Sequence, residues 1–139
     1  VSPWNFQQRF SDVFGKKIIS KFKDFNEAIY SSRIIVCTYP QTTFSEAIVS
    51  GIPTIILYTK KYWELAPEFD SLLSQLEEAK IVFSDPVLAA NHISRVWGDP
   101  HKWWEGKITI EARNRFLNDC VHMDKDWVSE WGLFFDQIE

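Results

Sequence analysis

The 139 residues include only five glycines, two cysteines, three histidines and one methionine. So few glycines leave no GxGxxG turn, no Walker loop and no GxSxG nucleophile elbow. Ser50-Gly51 reads as a helix end, not a nucleophile turn. Cys37 and Cys120 have no CxxC neighbour, so zinc and thioredoxin chemistry find no support. Cys37 lies in an apolar strand and Cys120 on a helix face, and both are expected as buried free thiols of a reducing compartment. His92, His101 and His122 show no HxxH or HExxH spacing. His92 falls beside Ile93 on a helix and reads as structural. His101 sits in a loop with Lys102, Trp103 and Trp104 and reads as a surface histidine. No apolar run approaches the ~18 residues of a membrane span, and no charged-then-apolar leader opens the chain. Positive charge is also scarce. The net charge is −4, and the one basic cluster, Lys16, Lys17, Lys21 and Lys23, is short. That argues against nucleic acid as a partner.

What the chain has in excess is aromatic surface: 16% of its residues, with seven tryptophans. Otherwise 45% hydrophobic and 24% charged residues are ordinary for a globular protein. The length suits one domain, residues 1–139, with a core that needs no staples. The chain opens Val1-Ser2-Pro3 and its sole methionine is Met123. The expectation is a piece of a longer protein, with part of a two-domain site elsewhere.

Periodicity predicts the elements. Trp4, Phe6, Phe10, Val13 and Phe14 suit an amphipathic helix ended by Gly15, with Ile18-Ile19 as a short strand. Asp24-Phe25-Asn26-Glu27 is a capping box opening a second helix. Arg33 to Thr38 is a continuous apolar strand, a pattern that implies burial on both faces in a parallel sheet. A helix from about Thr43 to Ser50 buries Phe44, Ala47 and Ile48 and stops at Gly51. Pro53 to Tyr58 is a second buried strand, which completes a βαβ unit. Pro67 suits the first turn of a longer helix carrying Phe69, Leu72, Leu73 and Leu76. Lys80 to Phe83 is a third strand. Asp85-Pro86 opens a helix through Trp97, broken by Gly98-Asp99-Pro100. One more helix spans about Ile108 to Val121, with Glu111 and Arg115 as an i,i+4 pair. The last carries Trp127, Trp131, Phe134, Phe135 and Ile138 on one stripe. The alternation predicts an α/β fold, a three-layer domain with a parallel sheet. Its C-terminal helices, within 110–139, reach out to cover another surface.

Ligands of open α/β sheets bind outside the carboxyl ends of the strands. The loop Thr38-Tyr39-Pro40-Gln41-Thr42-Thr43 lies there and leads into a helix N-terminus. Such a terminus offers free N–H groups and partial positive charge, to which Thr42 and Thr43 add hydroxyls. The loop is therefore the candidate site for an anionic ligand. Glu46 has two readings. With Thr43 as N-cap, Thr43-Phe44-Ser45-Glu46 is a capping box, and local chemistry favours that. Alternatively, a carboxylate accepts two hydroxyls at once, as a ribose diol offers. Lys60 or Lys61, after the second strand, can neutralise a diphosphate or stand in a solvated loop, and Tyr58 lies where a base pocket would have its edge. Trp103, Trp104, Trp127 and Trp131 offer flat faces for sugar rings, although the spacing of the last two favours packing. Asp124-Lys125-Asp126 spells a D-x-D metal motif, but acidic capping of the following helix explains it more simply. No metal is expected.

The stretch "CTYPQTTFSEAIVSGIPTIILY" resembles the nucleotide-binding, C-terminal half of GT-B glycosyltransferases. These share a strand, a Ser/Thr-rich loop, a helix containing Glu-Ala, then Gly-x-Pro and a strand. "YWELAPEFDSLL", "HISRVWGDPHKWW" and "ARNRF" are similar to a family of bacterial surface-polysaccharide (O-antigen-type) transferases. The likeness covers most of the chain from about Phe25. It implies a Rossmann-like domain that binds a nucleotide sugar as substrate, with no further cofactor. Its partners would be a carbohydrate or lipid-linked acceptor and an N-terminal half holding the catalytic base. The implied location is cytoplasmic, peripheral at the inner face of the membrane. By this match Glu46 holds the donor's ribose, Thr42 and Thr43 face its phosphates, and Thr38, Tyr39 and Gln41 complete the loop, with Tyr58 and Lys60 beside it. Two departures stand out. Position 38 is threonine where retaining relatives carry a second glutamate, and the Asp-Tyr-Ser-Ser loop of teichoic-acid-type polymerases is not matched. Two rival readings are a sugar-nucleotide epimerase or hydrolase on the same scaffold, and a non-catalytic interaction domain. The first needs a second catalytic carboxylate or histidine near Thr38. The second would put an apolar or crowded loop where the phosphate should sit.

Overall fold

The computed structural model describes residues 5–121 and 126–137. Among them, three parallel strands, β1 (Ile35–Cys37), β2 (Thr54–Leu57) and β3 (Val82–Phe83), form one sheet in the order β1-β2-β3. Ile35 pairs with Thr54, Cys37 with Ile56, Ile56 with Val82 and Leu57 with Phe83. Eight α-helices accompany the sheet among the described residues: α1 (Phe6–Phe14), α2 (Phe25–Tyr30), α3 (Thr42–Val49), α4 (Asp70–Glu78), α5 (Pro86–Val96), α6 (Pro100–Trp104), α7 (Lys107–Cys120) and α8 (Trp127–Asp136). The architecture is α/β and compatible with a Rossmann-like fold.

Capping chemistry sets several helix boundaries where the sequence places them. Asp24 accepts the Glu27 N–H at 2.8 Å, and Glu27 reaches back to the Lys23 N–H at 3.1 Å. Asp85 accepts the N–H groups of Val87 and Leu88, with Pro86 opening α5. Each such cap contributes roughly 1 kcal/mol. Gly51, at φ +77°, ends α3 in the left-handed conformation that disfavours side chains. Pro67 opens a short 3₁₀ turn, Pro67–Phe69, that runs into α4.

Side chains of β2 alternate between two cores. Ile56 and Tyr58 join Phe44, Ile48, Leu72, Leu76 and Phe116 from α3, α4 and α7. Ile55 joins Phe83 and Ala89 on the other side, with Leu57, Ile93 and Trp103 packed against them. Trp104 is only 1% exposed, with the Arg113 guanidinium 4.3 Å above its ring.

Several expectations are corrected. Ile18-Ile19 forms no strand: Lys16–Ile18 is a 3₁₀ turn. Two apolar residues beside lysines find no partner strand among the described residues. β1 is not buried on both faces. Among the described residues it pairs only with β2, which makes it an edge strand, and Val36 stands 44% exposed. β3 is shorter than Lys80–Phe83 because the Ile81 N–H closes the end of α4 onto the Leu76 carbonyl, with Lys80 at φ 62° making the turn. Asp99-Pro100 does not simply break a helix but caps and opens α6, which places His101, Trp103 and Trp104 on a helix. Arg115 pairs with Asp119 rather than Glu111, and also reaches Ser71 and Gln75 on α4, while Glu111 meets Lys107.

The aromatic helices stand apart from both cores. Phe6, Phe10, Val13 and Phe14 of α1 are exposed, as are Trp127, Trp131, Phe134 and Phe135 of α8. The last three pack their rings on one another. Ile138, placed on that stripe by its spacing, lies outside the described residues, as do Trp4, His122 and Met123.

His92 is buried between Phe83 and Trp103, and its Nε2 has no hydrogen-bond partner among the described residues. Burial, with Arg95 and Lys80 as lesser causes, holds its imidazole below the usual 6.5. The unfolded chain therefore takes up the proton more readily. The stability owed to neutral His92 is complete above pH 6.5 and is lost as pH falls from there through the depressed folded value. Urea midpoints measured between pH 8 and 5 should fall for the wild type, and His92→Leu should flatten that fall. Ile55→Ala, which empties a fully buried site at the centre of the sheet, should cost about 2–5 kcal/mol in the same assay.

Candidate functional site

The loop after β1 passes through Thr38, Tyr39, Pro40 and Gln41 before α3 begins. Thr38, Tyr39, Gln41 and Thr42 are exposed and Thr43 is half-buried. The Tyr39 ring stacks on Trp63, with centroids 6.0 Å apart and planes 21° from parallel. That contact ties the loop after β1 to the loop after β2, at the carboxyl end of both strands.

The helix starts one residue earlier than its spacing suggests. Gln41, not Thr43, is the N-cap, and its side chain makes no capping bond. Its carbonyl instead accepts the Phe44 N–H at 2.8 Å. Glu46 is consequently the fifth helical residue, too far along for a capping box, and its side chain stands exposed with no hydrogen bond among the described residues. The capping reading of Glu46 is corrected on this geometry. The Thr42 and Thr43 N–H groups likewise find no acceptor among the described residues. The first turn of α3 therefore presents donors and the positive end of a helix dipole.

A cavity of about 410 Å³ opens beside this turn. Pro40, Gln41, Thr42 and Ser45 line one part, and Phe44, Leu65, Phe69, Leu72, Phe116 and Cys120 supply much of the rest. Tyr58 is on the wall, but its hydroxyl donates to the Trp63 carbonyl at 2.7 Å. Burial pushes this phenol above its ordinary value. Of the residues proposed from sequence, Gln41, Thr42 and Tyr58 meet at this cavity. Thr38, Tyr39, Thr43, Glu46 and Lys60 do not line it. Lys60 bonds the Asp70 carboxylate, and that hydrogen bond raises its pKa. With Asp70 it borders a separate hollow that includes Lys61, Tyr62 and Pro67.

Sequence reasoning missed the cavity wall. Phe69, Leu72, Phe116 and Phe44 show helical spacing, and that signal is the same for a filled core and for a cavity lining. Cys120 was expected to be buried. It is exposed at the end of α7, its thiol raised by partial burial and by Asp119. Trp103 and Trp104 do not face solvent as sugar platforms. Trp104 is buried, and the Trp103 indole N–H donates to the Ala79 carbonyl at 2.9 Å. Asp124 and Lys125 of the D-x-D motif lie outside the described residues, while Asp126 precedes α8 and accepts from the Ser129 hydroxyl at 2.8 Å. No group of three or more His, Cys, Asp and Glu side chains among the described residues is arranged to hold a metal ion. No helix among them is long and apolar enough to cross a membrane.

A model of a transferase family, described as LIC12162 family transferase, matches residues 1–135. No curated protein and no solved structure matches the chain. With nearly the whole length accounted for by that one family, the chain belongs to the LIC12162 family of transferases.

Proposed function

We propose that this chain is the donor-binding half of a GT-B-type glycosyltransferase, a three-layer Rossmann-like domain that serves surface-polysaccharide synthesis. The enzyme would move a sugar from a nucleotide donor to a carbohydrate or lipid-linked acceptor. The observation that carries the reading is the first turn of α3, which has no side-chain cap, at the carboxyl end of the sheet, with Glu46 exposed one turn further on. The transferase family supplies the reaction class.

In this reading the diphosphate meets the N–H groups and hydroxyls of Thr42 and Thr43. Thr38, Tyr39 and Gln41 border it from the preceding loop. Glu46 accepts both ribose hydroxyls, which suits a carboxylate whose oxygens are unoccupied. Lys60 serves the diphosphate only after leaving Asp70. Tyr58 stands beside the site with its hydroxyl already in use. During transfer the acceptor oxygen bonds the anomeric carbon while the bond from that carbon to the diphosphate breaks. The acceptor's proton passes to a base supplied outside this chain, and the nucleoside diphosphate leaves. The negative charge that grows on the departing phosphate is met by donors already in place, so stabilising it needs little reorganisation. A peripheral place at the inner face of the membrane follows from this reading, since it brings the enzyme to lipid-linked acceptors.

Isothermal titration with uridine, guanosine and cytidine nucleotides tests the site. One of them should bind, and Glu46→Gln should weaken it roughly tenfold or more, the scale of a lost charged hydrogen bond. An affinity unchanged by Glu46→Gln removes the ribose role. No binding at millimolar nucleotide removes the donor reading.

A further inference from the structure

The walls of the cavity beside α3 are chemically unsuited to a nucleotide's base. Phe44, Leu72 and Phe116 are buried side chains on its wall, and Leu65 adds a further apolar surface. The polar side chains on the lining are few. Gln41, Thr42 and Ser45 gather at the start of α3, Cys120 closes α7, and the Tyr58 hydroxyl is committed to Trp63. A base seated against the apolar walls would find few side-chain partners for its ring nitrogens and exocyclic groups beyond Gln41, Thr42 and Ser45, which opposes binding. A hydrocarbon carries no such groups.

Size points the same way. Ligand pockets commonly run from about 300 to 1,000 Å³, and this one has about 410 Å³. An apolar protein cavity of about 150 Å³ accepts benzene, so by proportion this one takes on the order of fifteen carbons. Its rim at Gln41 and Thr42 is the first turn of α3, where the proposed donor would present its diphosphate.

We propose that this cavity seats the apolar chain of a lipid-linked acceptor, an isoprenoid or alkyl chain whose polar head passes Gln41 and Thr42 to meet the donor. The identity of the ligand as an acceptor rests on the transferase reading. The preference for hydrocarbon rests on the cavity's own walls.

The chain carries a native reporter. Cys120 is exposed on the cavity's edge, whereas Cys37 is buried with its thiol pushed up to about 11, so maleimide should label Cys120 alone. Labelling of the full chain is followed by mass spectrometry with farnesyl phosphate, below its aggregation threshold, as the probe. Protection should saturate, with labelling slowed about tenfold when the probe is at ten times its Kd. Leu65→Glu puts a charge on an already exposed lining position, so folding is spared, and it should raise that Kd about tenfold or more. Protection that never saturates, or that Leu65→Glu leaves unchanged, means adsorption on the aromatic faces of α1 and α8 and overturns the proposal. Protection by uridine diphosphate with none by farnesyl phosphate assigns the cavity to the base and also overturns it. The nucleotide titration separates the two readings. Saturable farnesyl protection without nucleotide binding supports the hydrocarbon site and removes only the donor. Nucleotide binding without farnesyl protection removes only this site.

Discussion

β2 is covered from both sides, and the rest of the α/β core is arranged around that double burial. Ile55 and Leu57 pack into one core, and Ile56, with Tyr58 just beyond the strand, into the other. Fully burying an isoleucine contributes roughly 1.5–3 kcal/mol, and Ile55 and Ile56 do so back to back. Helices must then lie on both faces, α3 and α4 on one and α5 on the other. With parallel strands on each flank, β2 also fixes where the loops emerge: the turns after β1 and β2 leave from the same end, and the Tyr39–Trp63 stack joins them there.

Elements governed by local chemistry were legible in the residues. Asp24 with Glu27, and Asp85 with Pro86, announce helix starts because their donors and acceptors lie within four residues of each other. Gly51 announces a stop because few other residues tolerate its backbone angle. Features set by distant neighbours were not legible. Whether Val36 faces a helix or water depends on where α5 lies, a helix that begins fifty residues later in the chain, and its own neighbours are equally apolar in either case. Trp103 and Trp104 read as exposed platforms because nothing nearby shows that Ala79 and Arg113 will meet them.

The candidate site divides in the same way. The donor-rich turn of α3 was readable as strand, loop and helix. Its N-cap was misplaced by two residues, Thr43 for Gln41, since the choice among neighbouring polar residues of one loop is too fine for spacing to decide. That shift moves Glu46 from the third to the fifth helical residue, out of capping range, and frees its carboxylate. The cavity was invisible because side chains that surround a space repeat along a helix just as side chains that fill one do.

The brevity of β1 has a consequence for the molecule in solution. A strand that ends a sheet leaves a row of peptide groups able to recruit another chain, the route by which many proteins coalesce into aggregates. Here that row is three residues long. The bends at Ile34 and Thr38 close it off on either side. Too few ladder bonds can form along it to hold a stray strand, so the short edge guards a sheet whose centre must stay dry.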